Sequence, residues 1–247
     1  MSCGGEIFAV FHRFAPRAPT RLANTSPRLA FFLLASLVAV AASVVSSFSK
    51  QASAVLNGFL LGQTTGTAFA DIIFGFITPS GKLPVTFPLS EDDTVEPCDS
   101  NPCSYSEGLE VGWRALVDKD VDFPFGHGLS YTKFDYKLAE EPEILPSGGL
   151  SFSVDVANSG DFKGSEVVQV YLGFPKSAGE PAMQMKAFAK TSVLAPDDAQ
   201  ELSFQLSPRD LQVWSVEAAG WIDVQGEFSI HVGSSSRDLR LKSSVTV

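Results

Sequence analysis

Histidine, cysteine and tryptophan are scarce in this 247-residue chain, with three of each. Beyond Cys98 and Cys103 the one remaining cysteine is Cys3, so no second thiolate pair exists to complete a structural zinc site. His12, His127 and His231 are too scattered to form a metal cluster. No G-x-S-x-G occurs, which excludes the nucleophile elbow of a serine hydrolase. Gly75 to Lys82 reads G-x5-G-K followed by Leu83, one residue too long for a phosphate loop and without its Ser/Thr. Asp118, Asp120 and Asp122 imitate the start of a calcium loop. Phe123 and Leu129 then stand where that loop needs Gly and Glu. Basic residues are also short, 18 against 28 acidic, for a net charge of −10. Such a balance excludes a nucleic-acid partner, which requires clustered Lys and Arg.

What is present is apolar and aromatic. Hydrophobic residues make up 45% of the chain and Phe alone accounts for 20 positions, as suits buried, β-rich segments. The charge is unevenly placed. Residues 1–50 hold Arg13, Arg17, Arg21, Arg28 and Lys50 against Glu6 alone, so the acidic surplus lies wholly beyond residue 50. Within the basic part, Leu29 to Val45 runs seventeen residues without a charge, at the lower limit for a spanning helix. Its arginine-bearing flank and its Ala39-Val40-Ala41 end give it the features of an export signal or an uncleaved anchor. Residues 1–50 therefore read as a basic leader carrying a hydrophobic helix at 29–45, with a secreted or membrane-anchored location. Cys98 and Cys103 flank Asp99-Ser100-Asn101-Pro102. They are either a local disulfide, in an oxidising compartment, or two reduced thiols.

Residues 51–137 read as a separate segment. Composition predicts short helices over 52–60 and 67–75, then a Pro79-Ser80-Gly81 turn and an extended Leu83 to Pro88. Loop-rich, glycine- and aromatic-punctuated sequence continues to Tyr131. From about Leu150 the hydrophobic period changes to two. Phe152, Val154 and Val156 alternate with polar residues, and so do Leu202, Phe204 and Leu206, then Phe228, Ile230 and Val232. Turn signals at Asn158 to Gly160, Pro196 to Asp198 and Gly233 to Ser236 separate them. Residues 138–247 are thereby predicted to form a β-sandwich. The fold class is mainly β, a sandwich preceded by a partial α/β layer and an N-terminal hydrophobic helix.

Few residues offer chemistry. Glu107 and Glu110, in SEGLEVGW, are the acids set among aromatics and glycines, but spacing pairs neither with a partner. His127 lies between Gly126 and Gly128, where it is either a ligand contact or a packed junction residue.

The segments LNGFLLGQTTGTAFADIIFGFITPSGKLPVTFP (56–88), YSEGLEVGWR (105–114) and FPFGHGLSYTKFDY (123–136) resemble the closing part of glycoside hydrolase family 3 β-glucosidases. EVVQVYLGFP (166–175), KAFAKTSVLAP (186–196), LSPRDLQVW (206–214) and GEFSIHVGSSS (226–236) are similar to the fibronectin type III-like domain that ends many members. The likeness runs from about residue 53 to the end, and residues 1–50 do not resemble the sheet expected before it. Leu61 and Thr64 depart from the family's P-G-Q-E-type turn, and Gln184-Met185 from its charged lead-in.

The resemblance implies a retaining glycosidase acting on a β-linked glucoside or oligosaccharide, with no cofactor. It also implies that the aspartate nucleophile and the acid/base glutamate sit upstream of the part seen here. No catalytic residue can be carried onto a position of this sequence. This makes the chain a C-terminal part that is silent alone, or one that associates with an intact hydrolase. The alternative is an anchored or secreted β-sandwich module binding glycan or protein through Trp214 and Trp221. Alternation and the family pattern favour packed positions for both tryptophans.

Overall fold

The computed structural model describes residues 8–10, 35–37, 49, 52, 54–59, 61–96, 98 and 102–247. Near the N-terminus three short strands form one sheet: β1 (Phe8–Val10), β2 (Ala35–Leu37) and β3 (Val55–Asn57). Central β3 runs antiparallel to β1 and parallel to β2. Val55 and Leu56 are buried, as a central strand next to a parallel neighbour requires.

Two expectations are corrected here. The helix foreseen over 52–60 is strand at Val55–Asn57. Ala52 and Ala54 favour helix by propensity, but burial between two strands decides the outcome. Of the hydrophobic run 29–45, the structure describes Ala35–Leu37 alone, again as strand rather than helix. A short apolar run fits a buried strand as well as a buried helix. The remainder of the foreseen helix lies outside the described residues. Among the described residues no helix is long and apolar enough to cross a membrane.

Helix α1 (Thr65–Ile73) packs Ile72 against Leu56, with Ala68, Phe69 and Tyr131 around them. Leu56 and Ile72 are therefore covered, whereas Ile73, Phe74, Phe76 and Ile77 remain exposed. A two-stranded ribbon, β4 (Phe87–Pro88) with β5 (Val121–Phe123), closes a second cluster of Val55, Leu83, Phe87 and Phe123.

The C-terminal sandwich has two antiparallel layers. One orders β10 (Ala199–Leu206), β7 (Leu150–Asn158) and β6 (Phe134–Ile144). The other orders β14 (Leu239–Thr246), β13 (Glu227–Gly233), β8 (Val167–Gly173) and β9 (Gln184–Lys190). Between β10 and β13 lies a separate hairpin, β11 (Gln212–Ser215) with β12 (Gly220–Asp223). The alternating residues of the sequence meet as one core: Phe152, Val154 and Val156 face Val168, Val170, Leu172, Phe228, Ile230 and Val232. Each interior side chain contributes about 1.5–3 kcal/mol of transfer free energy on burial.

Strand β8 departs from simple alternation. Gln169 and Tyr171 point away from that core, yet both are buried. Their face is covered by the 123–128 loop, which joins the α/β portion to the sandwich. Asn158 fixes the turn after β7. It accepts from Thr132 Oγ1 at 2.6 Å and donates to the carbonyls of Phe162 and Leu194.

Candidate functional site: the junction of the α/β portion and the sandwich

The junction is built by the loop 123–131 lying against Lys82 and Leu83. Leu83 N donates to His127 O and Gly126 N to Leu83 O, each at 2.8 Å. The loop approaches too closely for side chains at two points. Gly126 has φ +79, and a Cβ there would overlap the Gln169 amide; one at Gly128 would overlap Gly81 O. These glycines let the loop backbone lie on β8 and on the 81–83 segment. Gln169 Nε2 donates to Gly126 O (3.1 Å) and Ser234 O (2.7 Å), while Tyr171 donates its hydroxyl to Gln169 Oε1 at 2.6 Å. Trp113 stacks on Phe125 with centroids 5.3 Å apart and meets Tyr171 edge-on.

Behind the loop lies a charged cluster. Lys82 Nζ donates to Glu166 Oε1 and to Gly128 O, both at 3.1 Å. The two side chains are only 10% and 3% exposed. Tyr136 donates to the same Glu166 oxygen at 2.8 Å. Burial, then the negative charge and hydrogen bond of Glu166, push the Tyr136 phenol far above its usual range. Arg240 covers the Tyr136 ring at 4.6 Å, donates to Phe134 O at 2.6 Å and pairs with Asp238 at 2.7 Å. Burial opposes the charged form of Asp238. Hydrogen bonds from Arg240 and Ser234 outweigh it, and the carboxyl titrates below its ordinary value. Lys82, His127, Tyr136, Glu166, Asp238 and Arg240 line a cavity of about 600 Å³ between the two parts.

This cluster neutralises itself. Lys82, Glu166, Arg240 and Asp238 each have an opposite charge within hydrogen-bond distance. The arrangement positions one fold unit on another, and both of its carboxylates, Glu166 and Asp238, are engaged by cations.

The singled-out residues fall in separate places. His127 is half-buried, its ring stacked on Phe123 at 5.8 Å. Glu107 lines a different cavity, of about 330 Å³, with Trp113, Phe125 and Pro84, and Glu110 is exposed. Cys98 and Cys103 are joined as a disulfide with Cα atoms 6.0 Å apart. Among the described residues no group of three or more His, Cys, Asp or Glu could hold a metal ion. Trp214 and Trp221 are not packed away: they face each other across β11 and β12 and are 51% and 42% exposed. The cluster of Lys82, Tyr136, Glu166, Asp238 and Arg240 escapes sequence reasoning altogether. The one local signal for it is Glu166 immediately before an apolar strand.

Comparison with known proteins follows the same division. The Glycosyl hydrolase family 3 C-terminal domain model matches residues 24–131, and the Fibronectin type III-like domain model residues 166–236. The first match begins well upstream of residue 53. It crosses the charge break and takes in the run 29–45, so the likeness to the family reaches further than the quoted motifs. Probable beta-glucosidase D of Aspergillus niger is 38% identical over 216 residues, covering 79% of this chain and 28% of that protein. Thermostable beta-glucosidase B of Acetivibrio thermocellus is 39% identical over 210 residues, covering 78% and 27%. Among solved structures, the beta-D-glucoside glucohydrolase of Trichoderma reesei superposes with a TM-score of 0.73 at 34% identity, covering 81% of this chain and 31% of that one. Beta-glucosidase 3B of Thermotoga neapolitana, in complex with alpha-D-glucose, gives 0.76 at 33% identity, covering 82% and 29%. The chain thus spans under a third of the length of these relatives. With both domain models matched in order, the chain belongs to glycoside hydrolase family 3, of which it carries the C-terminal portion.

Proposed function

We propose that this chain is the C-terminal part of a β-glucosidase-type hydrolase that cleaves O-glycosyl bonds of β-linked glucosides in carbohydrate metabolism. Its own contribution is architectural: it closes the α/β layer and fixes the sandwich beside it. The nucleophile and the acid/base carboxylate are supplied by sequence outside these 247 residues. The observation that carries this reading is the self-neutralised junction of Lys82, Glu166, Tyr136 and Arg240 around the buried Glu166 carboxylate, in a chain whose relatives are named beta-glucosidases. An extracellular location belongs to the same proposal. It is supported by the Cys98–Cys103 disulfide, which persists in oxidising compartments.

Two measurements test it. The purified chain should not turn over an aryl β-glucoside, and turnover above buffer would overturn the reading of silence alone. A hybrid carrying the upstream part of the Thermotoga neapolitana enzyme followed by residues 24–247 should hydrolyse the same substrate. A folded, inactive hybrid would overturn the hydrolase reading.

A further inference from the structure

The β11–β12 hairpin displays a surface that the junction does not use. Leu211 and Val213 are buried in the sandwich core and anchor the hairpin from beneath. Side chains on the other face of β11 therefore point to solvent, because successive residues alternate across a strand. The register sets Trp214 opposite Trp221 and Gln212 opposite Asp223 on that outer face. The two indoles meet edge to face with centroids 5.6 Å apart. Arg209 lies 3.6 Å from the centroid of Trp221. Arg209 belongs to the short turn Pro208–Leu211, whose start is closed by reciprocal Ser207 and Asp210 hydrogen bonds. Gln212 Nε2 donates to Asp223 Oδ1 at 2.9 Å beside the aromatic pair.

A cross-strand aromatic pair stabilises a hairpin by roughly 0.2–1 kcal/mol, which does not account for keeping two tryptophans about half in water. We infer that this face binds a neutral β-linked glucan. The inference rests on the β-glucosidase reading and extends it from the bond cleaved to the polymer that carries it. Three features match that ligand. Pyranose rings with equatorial hydroxyls present flat C–H faces that stack on exposed indole, apolar in body and polar at the rim. Arg209, Gln212 and Asp223 ring the indoles with donors and acceptors suited to sugar hydroxyls. Charge supplies the third match: the face carries one cation, Arg209, and one anion, Asp223, and the chain's net −10 opposes any polyanion. Arg209 also holds Trp221 in place, so little side-chain freedom is lost on binding.

The test is electrophoresis of the full chain in native gels cast with soluble mixed-linkage β-glucan, with dextran as the α-linked control. β-Glucan should retard the chain and dextran should not. Trp214→Ala and Trp221→Ala should each abolish most of the retardation, at least about fivefold in apparent affinity. Trp221→Tyr, which keeps a stacking face, should restore part of it. Each variant's near-UV circular dichroism keeps a folding failure from passing as lost binding. Unretarded migration of the folded wild type would overturn the inference, as would full retardation of both alanine variants. Self-association relieved by Trp214→Ala, without glucan retardation, would overturn it in favour of a second copy of the chain. Hydrolysis of an aryl β-glucoside by the hybrid enzyme should be unchanged by Trp214→Ala. An unretarded wild-type chain beside an active hybrid refutes the surface alone, whereas an inactive hybrid beside a retarded wild-type chain refutes the hydrolase reading alone.

Discussion

Replacing Lys82 by Met removes the cation from a carboxylate that is 97% out of contact with solvent, since the Glu166 side chain is only 3% exposed. At that burial no surface discount applies. Removing one partner of a buried pair costs about 3–5 kcal/mol, because the remaining charge is left without compensation. Tyr136 still donates to Glu166 at 2.8 Å, which sets the expected loss near the lower end, about 3 kcal/mol. Urea slopes for small proteins are about 1–3 kcal/mol per molar and rise with size. For a chain of 247 residues the midpoint should then fall by about 1 M with the slope unchanged.

The paired variant decides the cause. Glu166→Leu alone strands the Lys82 ammonium with only Gly128 O and should lose a similar amount. Lys82→Met with Glu166→Leu replaces the pair by apolar groups, which is often near neutral. Its midpoint should lie closer to wild type than either single variant. Single losses under about 0.3 M, or losses that simply add in the double variant, would refute the view that this ion pair holds the junction.

The remaining expectations concern the residues around that junction and the far sheet. Gly126→Ala forces a side chain into φ +79 and against the Gln169 amide; it should cost at least about 3 kcal/mol, and a urea midpoint within 0.3 M of wild type would contradict the close approach. Tyr171→Phe leaves buried Gln169 Oε1 without its donor, a loss of about 1–3 kcal/mol readable in the same titration, and an unchanged midpoint would show that the hydroxyl is dispensable. Burial, then the charge of Lys242, hold the His231 imidazole below its ordinary value. Because the folded state then binds fewer protons than the unfolded chain, stability is full above about pH 6.5 and declines as the pH falls below it. The thermal midpoint of the wild type should drop more between pH 7 and 5.5 than that of His231→Gln, and equal drops would refute the assignment.

Legibility in the sequence follows how local each cause is. Phe152, Val154 and Val156 announce their strand because period-two alternation is a property of the strand itself, and the same side chains fill the core. Val55 and Leu56 mislead for the converse reason. Three residues carry no resolvable period, and the backbone pairing that makes them a strand comes from β1 and β2, some 45 and 20 residues away. The tryptophans were readable in principle. Leu211 and Val213 set the inward parity, and the turn at 216–219 then brings Trp214 opposite Trp221 on the outer face. Alternation counted without that inward anchor, together with a resemblance that assigns both to packed positions, hides the parity.

The junction marks the limit of such reading. Lys82 and Glu166 are 84 positions apart, and neither has a local pattern that calls for the other. Strand β8 shows what does survive in the sequence. VVQVYL alternates cleanly, with Val168, Val170 and Leu172 facing the core, so Gln169 and Tyr171 read as solvent-facing. They are buried because a second unit covers them, and a buried amide must then find partners for its donors and acceptor. The Gly126 and Ser234 carbonyls and the Tyr171 hydroxyl supply them. A polar residue kept between large apolar ones on the outer face of a strand is therefore a signal of docking, since an isolated sandwich has no use for that specific set of bonds. The two glycines around His127 carry the matching signal on the other side of the contact, where the backbone must come close to Gln169 and Gly81. Read together, they locate the interface from two segments that lie some 40 residues apart in the chain, without identifying the ion pair behind it.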